Sequence, residues 1–293
     1  MRRWMIGVGV AVAVLGVGAL MAAPAAVESQ LNKVEAHAPY EIGARAKALH
    51  ASLNMADLHA DTLLWGRDLL ARGTRGHGDV PRLVEGRFAL QVFSTVTKTP
   101  QGQNYDKNTG DTDMISVLAK VSLWPTRTWN SLLERALYQA ERLNAAATRD
   151  PKALLVVRTR GDLASLMARR AKGETVVGGL LATEGAHPLE GKLENLKTLY
   201  DAGFRMIGLH HFFDNELGGS LHGVSKGGLS PFGIEVLRAI EGMGMIVDVA
   251  HSSEKVVDDV LAHATRPIVV SHTGVRGACK SARNLSDAHM RAI

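Results

Sequence analysis

The chain has 293 residues, 46% of them hydrophobic, a formal net charge of +5 and one cysteine, Cys279. That length supports one or two domains with a substantial core, and a single cysteine excludes an intrachain disulfide. The charge is modest and no basic stripe is interleaved with aromatics, which excludes a nucleic-acid-binding surface. Cys279, in Arg276-Gly-Ala-Cys279-Lys280, has no ligand-type residue beside it and reads as a structural thiol.

Arg2 and Arg3, an apolar stretch from Trp4 to Ala23 and the small-residue tract Ala22-Ala-Pro-Ala-Ala26 have the layout of a secretory signal. The stretch is also nearly long enough to span a bilayer, so an uncleaved membrane anchor is the rival reading. Either one exports the rest, to a periplasmic or extracellular place. Removing residues 1–26 takes away two arginines and no acid, lowering the formal charge to +3. Residues 27–48, polar and alanine-rich from Glu28, read as a linker running into a first helix, and residues 49–293 as one catalytic domain.

Along that domain, short apolar runs alternate with helical segments. Strands are expected near residues 52–59, 88–95, 176–183, 204–210, 245–250 and 267–271. Between them lie a loop at Gly73 to Gly78, a long polar loop from Lys98 to Asp111, and a helical stretch from Asp113 to Thr148 broken at Trp124-Pro125. Further helices are expected over Leu193 to Ala202 and Pro231 to Met243. Runs apolar on both faces fit strands of a parallel sheet, and strand alternating with helix implies right-handed crossovers. The expected fold class is α/β, a (β/α)8 TIM-type barrel with about six strands present. Two strands are missing from a closed barrel, so the chain is expected to be a fragment, poorly soluble and inactive by itself; an open sheet is the alternative.

Five residues sit at the ends of such runs: His59, Asp61, Glu184, His251 and His272. His59 and Asp61, two apart, face the same side of a strand and can share one ion. His251 and His272, from adjacent strands, offer two imidazoles to a second ion, and Glu184 lies between the pairs in barrel order with two oxygens to bridge them. Singly, each has a plainer reading as a turn former, helix cap or hydrogen-bonding loop residue. Five together point to two-metal hydrolysis with zinc.

The motifs Asp57-Leu-His59-Ala-Asp61, Thr183-Glu184-Gly-Ala-His187, Leu209-His-His211-Phe-Phe-Asp-Asn215, Val247-Asp-Val-Ala-His251 and Val270-Ser-His272, then Arg283-Asn284, stand in one order over residues 53–287. Together they resemble the membrane (renal) dipeptidase family of zinc peptidases. The resemblance implies an amidohydrolase-like barrel with two zinc ions per chain: His59 and Asp61 on one, His251 and His272 on the other, Glu184 bridging. It also implies that His211 contacts the substrate, that Arg283 binds the carboxylate of a dipeptide, and that the protein is a homodimer. Without it, Arg283 reads as a solvated helix-end charge. The family's proton-transferring aspartate at the end of strand eight has no counterpart here.

The remaining histidines carry less. His187 reads as structural or as supporting the site, and His222 as part of a flexible surface loop. His37, His50, His77, His263 and His289 read as surface residues, and Asp248 has no assigned role. Two other functions fit the same residues: a related metal amidohydrolase acting on a lactone or cyclic amide, and an inactive exported zinc-binding protein.

Overall fold

Strands that are apolar on both faces need cover on both. The computed structural model, which describes residues 16, 18 and 22–293, supplies it with a curved parallel sheet. Its strands are β1 (Met55–Ala60), β2 (Phe88–Val96), β3 (Leu154–Val156), β4 (Val177–Glu184), β5 (Phe204–Gly208) and β6 (Ile246–Asp248). Every pairing is parallel, in the order β1-β2-β4-β5-β6, with β3 beside the first half of β4. This is a half-barrel of the TIM type. Adjacent residues divide between its faces: Phe93, Leu181, Phe204 and Ile207 pack under the helices, while Val92, Leu180, Ala182 and Met206 form a second cluster on the concave side.

The helices are α1 (Ala44–Ser52), α2 (Val80–Glu85), α3 (Met114–Val121), α4 (Leu132–Arg149), α5 (Arg160–Ala171), α6 (Glu194–Ala202), α7 (Pro231–Gly242), α8 (Glu254–His263) and α9 (Asp287–Ala292). Their starts are written locally. Thr159 and Asp162 form a capping box on α5, and Ser131, Ser230 and Ser253 each cap the helix that follows.

Four features differ from expectation. β3 was not anticipated, because a three-residue run between Lys152 and Arg158 is too short for a period to show. The segment 267–271 extends beside β6 but makes one parallel bridge, Asp248 to Val269. Pro267 has no N–H to contribute and β6 has only three residues, so the ladder cannot lengthen. β1 begins at Met55 because α1 runs through Ser52. Residues 22–31 are helical rather than an open linker.

The signal or anchor assigned to Trp4 to Ala23 lies almost wholly outside the described residues. Among the described residues no helix is long and apolar enough to cross a membrane.

One buried cation organises the β2 exit. Arg135, on α4, is 1% exposed and donates to the carbonyls of Thr97, Thr128 and Trp129 and to Asp113 Oδ2, each at 2.7 Å. Asp113 also caps α3, accepting from the amides of Ile115 and Ser116 at 3.1 Å. Removing that carboxylate strands a buried guanidinium and uncaps a helix. Asp113→Ala is therefore expected to lose roughly 3 kcal/mol or more of stability, read as a lowered denaturation midpoint; a loss under about 1 kcal/mol contradicts this account.

Candidate metal centre

The parallel register brings the polar residues that end each strand to one rim. Val96 pairs with Glu184, so Glu184 stands level with the end of β2. His59 is in β1, Asp61 directly follows it, His211 lies three residues past β5 and His251 three past β6. His272 follows the 267–271 segment. Gly185, with φ of +83°, makes the turn behind Glu184; a Cβ there would meet the His187 ring at 2.7 Å.

Glu184 is 6% exposed, and its Oε1 faces four imidazole nitrogens. The Nε2 atoms of His59, His211 and His272 each lie 3.4 Å away, and that of His251 lies 3.2 Å away. Asp61 Oδ1 is 3.3 Å from His59 Nε2, and the Nε2 atoms of His251 and His272 are 2.8 Å apart. All five residues expected from the strand ends are thus brought together, with His211 among them. Two groups of ligand atoms share Glu184: His59, Glu184 and His272 form one, and Glu184, His211 and His251 the other. The sequence reading paired His272 with His251. The curl of the sheet also brings His272 against His59, ring centroids 3.8 Å apart and tilted by 33°.

The donor set fits a divalent cation. One carboxylate oxygen cannot accept from four imidazoles at once, and Asp61 Oδ1 is buried with no hydrogen bond of its own. An excess of convergent His and carboxylate atoms suits zinc-type ligation. Charge is correspondingly displaced. Burial works against a charged His59, yet Asp61 and Glu184 outweigh it and raise its pKa to about 11. Burial favours a neutral Glu184, but the surrounding histidines hold it well below the usual carboxylate range. Burial depresses His251, and burial with the nearby Glu184 charge raises Asp61. An ion entering the cluster displaces the His59 proton, so affinity falls as pH falls.

The ligands are oriented from behind. Ser271 Oγ lies 2.8 Å from His272 Nδ1 and donates to Asp248 Oδ2 at 2.6 Å. Asp248 also accepts from the amides of Ala250 and Ser271. This chain fixes the His272 ring and leaves Nε2 free to ligate, and it gives Asp248 a position-setting part that the sequence reading left blank. The signal available was a polar pair, Ser271-His272, closing an apolar run. Ser220 Oγ donates to the carbonyl of His211 and lies 3.3 Å from that of His251, tying the backbones of these two residues together. His251 itself adopts φ of +62°, a left-handed conformation unusual for a side chain with a Cβ.

Arg283 is half-buried and reaches the centre from the far side. Its Nη2 donates to the His272 carbonyl at 2.8 Å and lies 3.3 Å from His251 Nε2. It also lines a cavity of about 580 Å³ shared with His59, Asp61, Glu184, His211 and His272.

His222 is not a surface residue: it is 1% exposed, sits 4.9 Å from the Phe212 ring in a stacked arrangement, and its Nδ1 is 3.0 Å from the Tyr105 carbonyl. It anchors the Lys98 to Asp111 loop from beneath. His187 is buried against Phe213, away from the ligand groups. His37, His50, His77 and His263 are exposed, whereas His289 is half-buried and 2.9 Å from Asp258.

The model of the membrane dipeptidase family, peptidase family M19, matches residues 43–293. An uncharacterised protein in the pqqA 5′ region of Klebsiella pneumoniae is 32% identical over 142 residues, covering 46% of this chain and 52% of that protein. The dipeptidase tcpJ of Claviceps purpurea is 28% identical over 215 residues, covering 72% of this chain and 45% of its own. The chain spans about half the length of the curated relatives it matches. Among solved structures, the probable dipeptidase PvdM of Pseudomonas aeruginosa superposes with a TM-score of 0.67 at 22% identity, over 85% of this chain and 59% of that one. A metallopeptidase of Rhodobacter sphaeroides, liganded with a phosphinate mimic of L-Ala-D-Ala, gives 0.64 at 22% identity, over 82% and 71%. At this identity the two structures establish the fold.

Two outcomes follow from the centre's surroundings. Ser271→Ala removes the support behind His272 and is expected to weaken divalent-cation binding about 10- to 100-fold in a competition titration with a chelator; unchanged affinity would show the hydrogen-bonded chain to be incidental. His210, 1% exposed with Nδ1 3.0 Å from Ser252 Oγ, is pushed by burial down to about 4. The unfolded residue takes up its proton near 6.5, so between pH 6.5 and 4 the unfolded chain holds more protons and stability falls on acidification, by up to roughly 3 kcal/mol. Melting curves across that window should be flatter for His210→Gln; parallel profiles would contradict it.

Proposed function

The chain belongs to the membrane dipeptidase family, and we propose that it is a zinc-dependent dipeptidase that hydrolyses the peptide bond of dipeptides. The observation that carries this reading is Glu184, one buried carboxylate shared by two sets of imidazole ligands, with the Arg283 guanidinium beside them. Two sets favour two zinc ions per chain, with Glu184 common to both. His59 and Asp61 serve one ion and His251 the other. His272, close to His59 and His251 alike, completes either. When bound, zinc supplies Lewis acidity and makes a water nucleophilic near neutral pH.

The chain's own groups do the rest. Arg283 presents a fork of N–H donors to the substrate's terminal carboxylate, a bidentate match that lysine lacks. This fixes the scissile carbonyl over the cluster. His211 Nε2, in the same ring of nitrogens, donates to the oxygen of that carbonyl as negative charge develops on it. Glu184 stays ionised and holds the ligand set in register. Fixed groups aimed at one point need no reorganisation at the moment of reaction.

Arg2, Arg3 and the apolar stretch after them support export, by a cleaved signal or a membrane anchor. The family resemblance supports a homodimer. Residues 27–48 lead into the catalytic domain of residues 49–293.

The test is elemental analysis with dipeptide turnover on one preparation of the full-length protein. The expected result is about two zinc ions per chain, chelator-sensitive hydrolysis, and loss of both in Glu184→Ala, with turnover down at least 1,000-fold. Blocking the substrate carboxylate as an amide should cost the parent 100-fold or more in kcat/KM and cost Arg283→Ala little further. Full zinc loading with no dipeptide turnover would overturn the activity, and an amide penalty retained in Arg283→Ala would overturn the clamp.

A further inference from the structure

The helix that overlooks the metal centre is apolar where it faces open space. Ile115 and Ala119, one turn apart on α3, are buried with Leu64, Val96 and Trp124 in a small cluster at the β2 exit. Two neighbouring rows of the same helix, Met114 with Leu118 and Val117 with Val121, line the cavity above the metal ligands. Met114 is 40% exposed and Val117 50% exposed. Val27 and Leu31 of the helical segment 22–31 line the same cavity; an outward helix face is ordinarily polar, so an apolar wall with this much exposure inside a cavity marks a binding surface.

Strand order decides what meets this wall. The wall belongs to the β1 and β2 side of the sheet, whereas Arg283 approaches from beyond β6, with the ligand cluster between. A dipeptide with its carboxylate on Arg283 and its scissile carbonyl at the cluster must extend its N-terminal residue toward α3. On the dipeptidase reading just given, we propose that this site selects dipeptides whose N-terminal residue bears a large apolar side chain, with Met114, Val117, Leu118 and Val121 as the specificity-determining residues. The wall is rigid before substrate arrives, since Asp113 caps α3 and Arg135 holds Asp113. Contact with it therefore requires no ordering of the protein.

The test is a series in which the C-terminal residue stays alanine and the N-terminal residue varies: Ala-Ala, Leu-Ala, Phe-Ala, Lys-Ala and Glu-Ala. The expected kcat/KM for Leu-Ala and Phe-Ala exceeds that for Ala-Ala by at least 10-fold, and the charged pair falls below Ala-Ala. Val117→Asp should bring the Leu-Ala to Ala-Ala ratio under about 3, and Val117→Ile should keep it. Zinc content and circular dichroism of both variants confirm that each is folded and loaded. Calorimetric binding of Leu-Ala and Ala-Ala to the zinc-loaded protein gives the same ratio without relying on turnover. A flat series, or a ratio untouched by Val117→Asp, overturns the wall. Absence of hydrolysis for every dipeptide overturns the dipeptidase reading instead, and the binding ratio still judges the wall.

Discussion

A single buried negative charge sets the terms for the whole upper rim of this sheet. Glu184 is nearly enclosed, and an enclosed carboxylate is expensive unless positive or hydrogen-bonding partners surround it. Four imidazole nitrogens at 3.2 to 3.4 Å meet that demand, and each comes from a different strand exit. The requirement propagates outward. His272 needs Ser271 and Asp248 to aim it, His211 and His251 are tied through Ser220, and His251 accepts a left-handed backbone to reach its place. Strain of that kind costs of order 1–3 kcal/mol and persists where the surroundings over-determine it.

Much of this was legible in the residues. Apolar runs ending in His59, Glu184, His251 and His272 marked the residues that the structure brings together, because in a parallel sheet the residue leaving each strand arrives at a common rim. The run before β3 was invisible for the opposite reason: three residues cannot display a period, and only the open edge of β4 recruits them. His222 was misjudged from its glycine-rich neighbours. The Gly218 to Gly223 turn folds inward because Asp214 accepts from the amides of Ser220, Val224 and Ser225, a side-chain tie that local composition does not announce. Likewise Asp248 carried no sequence signal for its partner, since Ser271 lies 23 positions away.

The electrostatic layout divides the centre from its walls. Around Glu184 the groups exchange charge: His59 is driven up and Glu184 down, so protons and cations compete for the same atoms. Just beyond, burial drives His187 and His210 the other way and keeps them neutral. Their depressed basicity limits the positive charge near the cluster, leaving room for a cation. On the side of α3 the wall carries no charge at all. The candidate metal centre therefore borders an uncharged surface.

The cluster also carries an implication for how the protein comes into being. Its members are drawn from β1 near the start of the domain, from Glu184, His211 and His251 in between, and from the segment beyond β6 near the end of the described chain. Glu184, His211 and His251 come together within the second half of the chain, whereas the group of His59, Glu184 and His272 needs both ends of the domain. Closing such distant contacts is entropically slow and comes late in assembly. A group drawn from both ends of the domain can therefore hold an ion only once the sheet has formed.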